Sequence, residues 1–153
     1  MLNKKRVDIV DIQLIRDIVE LEDKVLGNPT NVYDFIKKNF LGVENEKFIV
    51  LYLNDDNQPI KIKTILLDVV NLFSFNTTEI MKLAILSNTT KLVVAAIHTD
   101  NEPSPSELDK HVYKKIKNEG NIIGIELLDY VVIADKRYYS FLEDKLLFEK
   151  TKS

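Results

Sequence analysis

The chain has 153 residues, 45% of them hydrophobic and 29% charged, with a formal charge of -3, which suits one domain with a sizeable core and excludes a disordered chain. Lysine and arginine are spread along the sequence, the longest basic run being Lys4-Lys5-Arg6, so direct nucleic-acid binding is not expected. The absence of cysteine excludes disulfides, thiolate catalysis and a Cys-ligated zinc. No segment has the length of a membrane span or the apolar core of a signal peptide, so a cytoplasmic protein is expected.

Residues 7–21 admit two readings. Val7, Val10, Leu14, Ile15 and Ile18 fit a helical face, whereas Val10, Ile12 and Leu14 alternate with polar neighbours as in a strand. Further on, Asn28 can cap and Pro29 can open a helix running to about Phe40, with Val32, Phe35, Ile36 and Phe40 facing the core and Gly42 ending it. A hairpin follows. Its strands are Phe48 to Leu53 and Ile60 to Val70, around the turn cluster Asn54-Asp55-Asp56-Asn57. Asn76-Thr77-Thr78-Glu79 has the spacing of a helix start leading into Ile80, Leu83, Ala84 and Leu86, and Lys91 to Ile97 reads as a buried strand.

The next helix is expected to start at Ser104, with Pro105 in its first turn and Glu107 completing a capping box. Leu108, Val112 and Ile116 form its buried stripe, and Gly120 is expected to stop it. A closing strand pair is expected over about Ile122 to Ala134 and Tyr138 to Leu142. Alternating helices and strands without a linker or repeat mean one α/β domain spanning 1–153, with a mixed sheet flanked by helices.

Chemistry concentrates between Ala96 and Asp109. Here a strand end carries His98, a polar loop carries Asp100 and Glu102, and a helix start carries Ser106 and Asp109. Ser106 and Asp109 lie three apart, so they share a face where unpaired N–H groups favour an ionised carboxylate. One histidine and one aspartate with a water could hold a divalent ion weakly. Alternatively, Ser106 and Asp109 only cap the helix and His98 hydrogen-bonds within its loop. His111 falls two residues beyond Asp109 and so faces away from it.

The stretch from Glu46 to about Glu143 resembles the RadC family of JAB/MPN (JAMM) domains, and with the helix from Asn28 the best-matching core is about 28–143. That family carries His-x-His-Pro-Ser-Gly-Asp-Pro-x-Pro-Ser-x-x-Asp. In that register this chain has His98, Pro103, Pro105, Ser106 and Asp109, followed by Ile123-Gly124-Ile125-Glu126-Leu127-Leu128-Asp129-Tyr130 and the closing Tyr138-Tyr139-Ser140-Phe141. The resemblance implies the JAB/MPN α/β fold and favours a strand over residues 7–16. It also implies a short form, without the helix-hairpin-helix region that precedes this core in longer members.

In the wider family, two histidines and an aspartate bind zinc, an upstream glutamate is acid/base, and a serine stabilises the oxyanion. Carried over by position, the resemblance makes His98 and Asp109 metal ligands and Glu46 and Ser106 catalytic. The first histidine position is Ala96. A methyl group cannot donate to a metal, and one lost ligand should remove several kcal/mol of a zinc-binding free energy on the order of 10 kcal/mol or more. The loop Thr99-Asp100-Asn101-Glu102 and the pair Asp129-Tyr130 also depart from the family pattern.

The expectation is therefore a member of a DNA-repair-associated family with a degenerate zinc site, zinc being absent or weakly bound. Such a protein would work as a non-catalytic interaction module with a protein partner, and Ala96→His would create metal binding. The alternative is a metal-dependent hydrolase acting on a peptide or isopeptide, with Asp100 or Glu102 as the replacement ligand.

Overall fold

The computed structural model describes residues 25–40, 47–66, 76–100 and 102–149. The two readings of residues 7–21 lie outside the described residues, as do Gly42, Glu46 and the segment 67–75. Among the described residues three helices flank one six-stranded mixed sheet in a single domain, the arrangement of a JAB/MPN-like α/β fold.

Helix α1 (Pro29–Asn39) begins where expected: Asn28 Oδ1 accepts from the Asn31 N–H at 2.8 Å and Pro29 takes the first helical position. Strand β1 (Lys47–Leu53) is antiparallel to β2 (Pro59–Leu66), the connecting turn being held by Asn54 Oδ1, which accepts from Asp56 N and Gln58 N. Helix α2 (Thr78–Leu86) and strand β3 (Lys91–Ile97) follow, β3 lying antiparallel on the other side of β1. Helix α3 (Glu107–Ile123) crosses over to β4 (Glu126–Ile133), which runs parallel to β3. Strand β5 (Arg137–Ser140) and β6 (Lys145–Phe148) complete the order β2-β1-β3-β4-β5-β6. The last of these is not expected from the sequence: four residues, mostly exposed, show too little alternation to register as a strand.

Each face of the central strands has its own core. Ile49, Leu51, Val93, Ala95, Val131 and Ile133 pack under α1, with Val32, Phe35 and Ile36 above them. On the opposite face Phe48, Val50, Val94, Ala96, Tyr130 and Val132 pack under α2 and α3, with Ile80, Ala84, Val112 and Ile116. A strand buried on both faces reads as a continuous apolar run, and β1 and β3 do so. At about 25 cal/mol per Å² of apolar area, these two layers supply most of the drive to fold.

Two expectations about α3 are corrected. The cap is Ser106, not Ser104: Ser106 and Asp109 bond reciprocally in a capping box, while Ser104 Oγ donates to the Glu102 carboxylate and Pro105 stands before the helix. Ser104 precedes a proline, which disfavours the helical region and moves the start onward. Gly120 does not end the helix. It lies inside, where an added Cβ would come 2.2 Å from the Ile125 carbonyl oxygen, and the left-handed Gly124 (φ 82°) makes the stop. Ile122 and Ile123 are therefore the last turn of a helix rather than the start of a strand, which begins at Glu126.

The two glycines differ in a testable way. Gly120→Ala drives a methyl into backbone and should cost about 3 kcal/mol, whereas Gly124→Ala only strains a left-handed residue and should cost about 1 kcal/mol. Thermal unfolding separates them, and equal losses would contradict the packing described.

Candidate functional site

Strand β3 delivers His98 to the carboxyl edge of the sheet. The His98 N–H continues the parallel ladder by donating to the Ile133 carbonyl at 2.9 Å, so its backbone is set by β4 as well as by β3. The loop then returns to α3, whose first turn sits over that edge. A parallel β-helix-β crossover places a helix N-terminus beside the end of the strand that precedes it, where ligand sites of open α/β sheets commonly lie.

Three of the four expected site residues come together there. His98 Nε2 is 2.8 Å from Asp109 Oδ2, and both side chains are largely withdrawn from solvent. Ser106 donates to the same oxygen twice, from its backbone N–H at 2.8 Å and from its hydroxyl at 2.9 Å, and that hydroxyl accepts from the Asp109 N–H at 3.1 Å. The other oxygen, Oδ1, accepts from the Tyr130 hydroxyl at 2.7 Å. Asp109 is therefore buried and surrounded by four donors. The fourth expected residue, Glu46, lies outside the described residues.

The electrostatics follow from these partners. Burial acts to raise the Asp109 pKa, but hydrogen bonds from His98, Ser106 and Tyr130, with the charge on His98, outweigh it and hold the carboxyl below its ordinary value. Burial, followed by the neighbouring Asp109 charge, pushes Tyr130 well above the ordinary phenol range, which keeps its proton available to donate. His98 Nδ1 meets the Glu102 carbonyl oxygen at 2.9 Å. The ring is thus engaged through both nitrogens, by the loop on one side and the helix start on the other.

This arrangement limits the chemistry of each group. The single Ser106 hydroxyl proton is directed at Asp109. Asp100 Oδ1 accepts from the Glu102 N–H at 3.1 Å, and the Glu102 carboxylate accepts from Ser104 Oγ at 2.8 Å, so both carboxylates serve their own loop. His111 is exposed on α3, as its spacing predicts. Among the described residues no group of three His, Asp or Glu side chains is placed to hold a metal ion. With a methyl at position 96 and four donors already on Asp109, these residues do not fit the three-ligand set of a catalytic zinc.

Tyr130 is the site residue that the sequence does not reveal. Its position is legible only as a departure from a motif. Its role depends on β4 lying beside β3, which directs its ring toward α3. A second buried carboxylate, Asp129, instead holds the start of the β5–β6 turn, accepting from Ser140 Oγ at 2.7 Å, Tyr130 N at 2.7 Å and Leu142 N at 2.9 Å. Burial is the largest influence on Asp129 and raises its pKa despite those donors.

The chain has relatives among known proteins. The family model described as RadC-like JAB domain matches residues 26–146. A UPF0758 protein of Shouchella clausii is 32% identical over 119 residues, covering 78% of this chain and 52% of that protein. A UPF0758 protein of Pasteurella multocida is 34% identical over 120 residues, covering 78% and 54%. One from Methanosarcina mazei is 28% identical over 130 residues, covering 85% and 57%. The chain thus spans little more than half the length of these relatives. No helix among the described residues is long and apolar enough to cross a membrane.

Two outcomes check the site. Tyr130→Phe keeps the ring and leaves Asp109 Oδ1 buried without its donor, which should cost about 1–3 kcal/mol in urea unfolding; a negligible loss would mean that the hydroxyl does not hold that oxygen. The two aspartates should also respond oppositely to acid. The Asp109 carboxylate is stabilising above its ordinary pKa, and that stability is lost as pH falls through its lowered value. Asp129, raised, takes its proton first in the folded state, so its ionisation costs stability as pH rises through the raised value. Asp109→Asn should flatten the acid limb of stability against pH and Asp129→Asn should not.

Proposed function

We propose, from the premise that this chain belongs to the RadC-like JAB domain family, that it is a member whose zinc site is degenerate and that it acts as a non-catalytic interaction module. The observation that carries this reading is the state of Asp109: in a metal site its carboxylate would donate to the ion, whereas here both oxygens are engaged by Ser106, His98 and Tyr130. Ala96, which by position would supply the third ligand, lies fully buried among apolar neighbours. A centre of this kind ties a strand end to a helix start instead of activating a water.

Protein is the partner class that the surface favours. The formal charge is -3, which disfavours a polyanion, while Leu86, Ile122 and Phe148 stand 83%, 82% and 63% exposed. On this reading the family's association with DNA repair reaches this chain through the assembly it joins, not through direct binding, and its place of work is the cytoplasm.

The second reading is a metal-dependent hydrolase of peptides or isopeptides with an altered site, in which His98 and Asp109 would hold the ion and Glu46 and Ser106 would act on the substrate. It is favoured by the meeting of His98, Ser106 and Asp109 in one cluster. Metal analysis of protein purified without added zinc or chelator separates the two. The first reading expects only trace transition metal and no binding on titration. One metal ion per chain would sink it.

A further inference from the structure

We infer that Tyr130 is the residue that closes this centre to a metal ion, its hydroxyl holding the Asp109 oxygen that His98 and Ser106 leave open and its ring occupying the apolar shell around Ala96. This rests on the reading that the zinc site is degenerate, and it adds why restoring the absent ligand alone gives only weak binding.

Ala96 lies opposite Phe48 of β1 and Val132 of β4, and Tyr130 sits two residues earlier on the same face of β4, opposite Val94. Phe48 meets the Tyr130 ring edge to face at 6.3 Å between centroids, and Phe141 meets it at 5.1 Å. Ala96 and Tyr130 are both 0% exposed and Phe48 is 1% exposed. Position 96 is therefore not an open ligand position awaiting an imidazole. It is the small member of the buried layer that also holds Phe48, Tyr130 and Val132, and a larger side chain there has to displace its neighbours.

The second barrier is electrostatic. A hydroxyl-to-carboxylate bond of 2.7 Å, fully buried, is of the charge-assisted kind, strengthened where water is excluded. A metal approaching Asp109 would have to displace that donor or the His98 proton on the other oxygen. Removing only the Tyr130 hydroxyl lowers the first demand and leaves the ring in place.

The test uses the full chain with zinc ion alone as the probe, measured by titration calorimetry and by metal retained after gel filtration. The proteins are the unmodified chain, Ala96→His, and Ala96→His with Tyr130→Phe. The inference expects no binding by the first, weak binding by the second, and binding by the third tighter than the second by on the order of tenfold or more, the scale of one charge-assisted hydrogen bond. Equal affinity in the second and third, or no binding by a folded third, overturns the role of Tyr130 and leaves the degenerate-site reading standing. Stoichiometric zinc on the unmodified chain overturns that reading and the inference with it. Should imidazole at position 96 prevent folding, Ala96→Cys with and without Tyr130→Phe repeats the comparison with a smaller ligand in a chain that has no other thiol. The same tenfold separation supports the inference, and its absence refutes it.

Discussion

The carboxylate of Asp109 is the constraint on which this centre depends. Buried and ionised, it is tolerable only because donors from three separate places converge on it: the strand end at His98, the helix cap at Ser106 and the neighbouring strand at Tyr130. An unpaired buried charge would be severely destabilising, so the three elements are tied to one geometry. His98 extends the tie to the loop through the Glu102 carbonyl. The result is a closed polar knot beneath the first turn of α3.

The fold brings these donors together through one β-helix-β crossover. Because β3 and β4 run parallel, α3 must return along the sheet, and its N-terminus arrives over the strand end it left. The pairing of Val94 with Tyr130 then fixes how far along β4 the phenol stands. A slip of one residue would turn Tyr130 to the α1 face and leave Asp109 without its fourth donor. The aromatic packing of Tyr130 against Phe48, Tyr113 and Phe141 holds the ring in that direction. Precision in the polar knot therefore derives from apolar packing beneath it.

Family membership and the chemistry of the site rest on different observations in this chain. The family match spans residues 26–146, a range that takes in the doubly buried strands β1 and β3, the loop with its prolines and the capped helix α3. On the reading proposed above, the methyl at position 96 takes the place of a ligand without disturbing the strand that carries it. Ala96 itself is fully buried between Phe48 of β1 and Val132 of β4.

Much of the fold is legible in the order of residues by itself. Helix α1 with its Asn28 cap, the hairpin of β1 and β2, the buried strand β3 and the α/β class all follow from local chemistry: caps, turn residues and apolar runs act over a few neighbours and leave their mark in a short window. The cluster of His98, Ser106 and Asp109 is legible in its spacing. Local signals mislead where two of them compete. Ser104 and Ser106 could both cap, and the choice falls to the one whose reciprocal partner, Asp109, also has distant donors. Gly120 and Gly124 could both stop a helix, and only the approach of Ile125 shows which is needed for space and which for a left-handed turn. The donor from Tyr130 and the buried tie between Asp129 and Ser140 are decided by tertiary structure alone. They join residues 21 and 11 positions apart, and a contact at that separation is set by which strands lie side by side, a property that no short window of sequence contains.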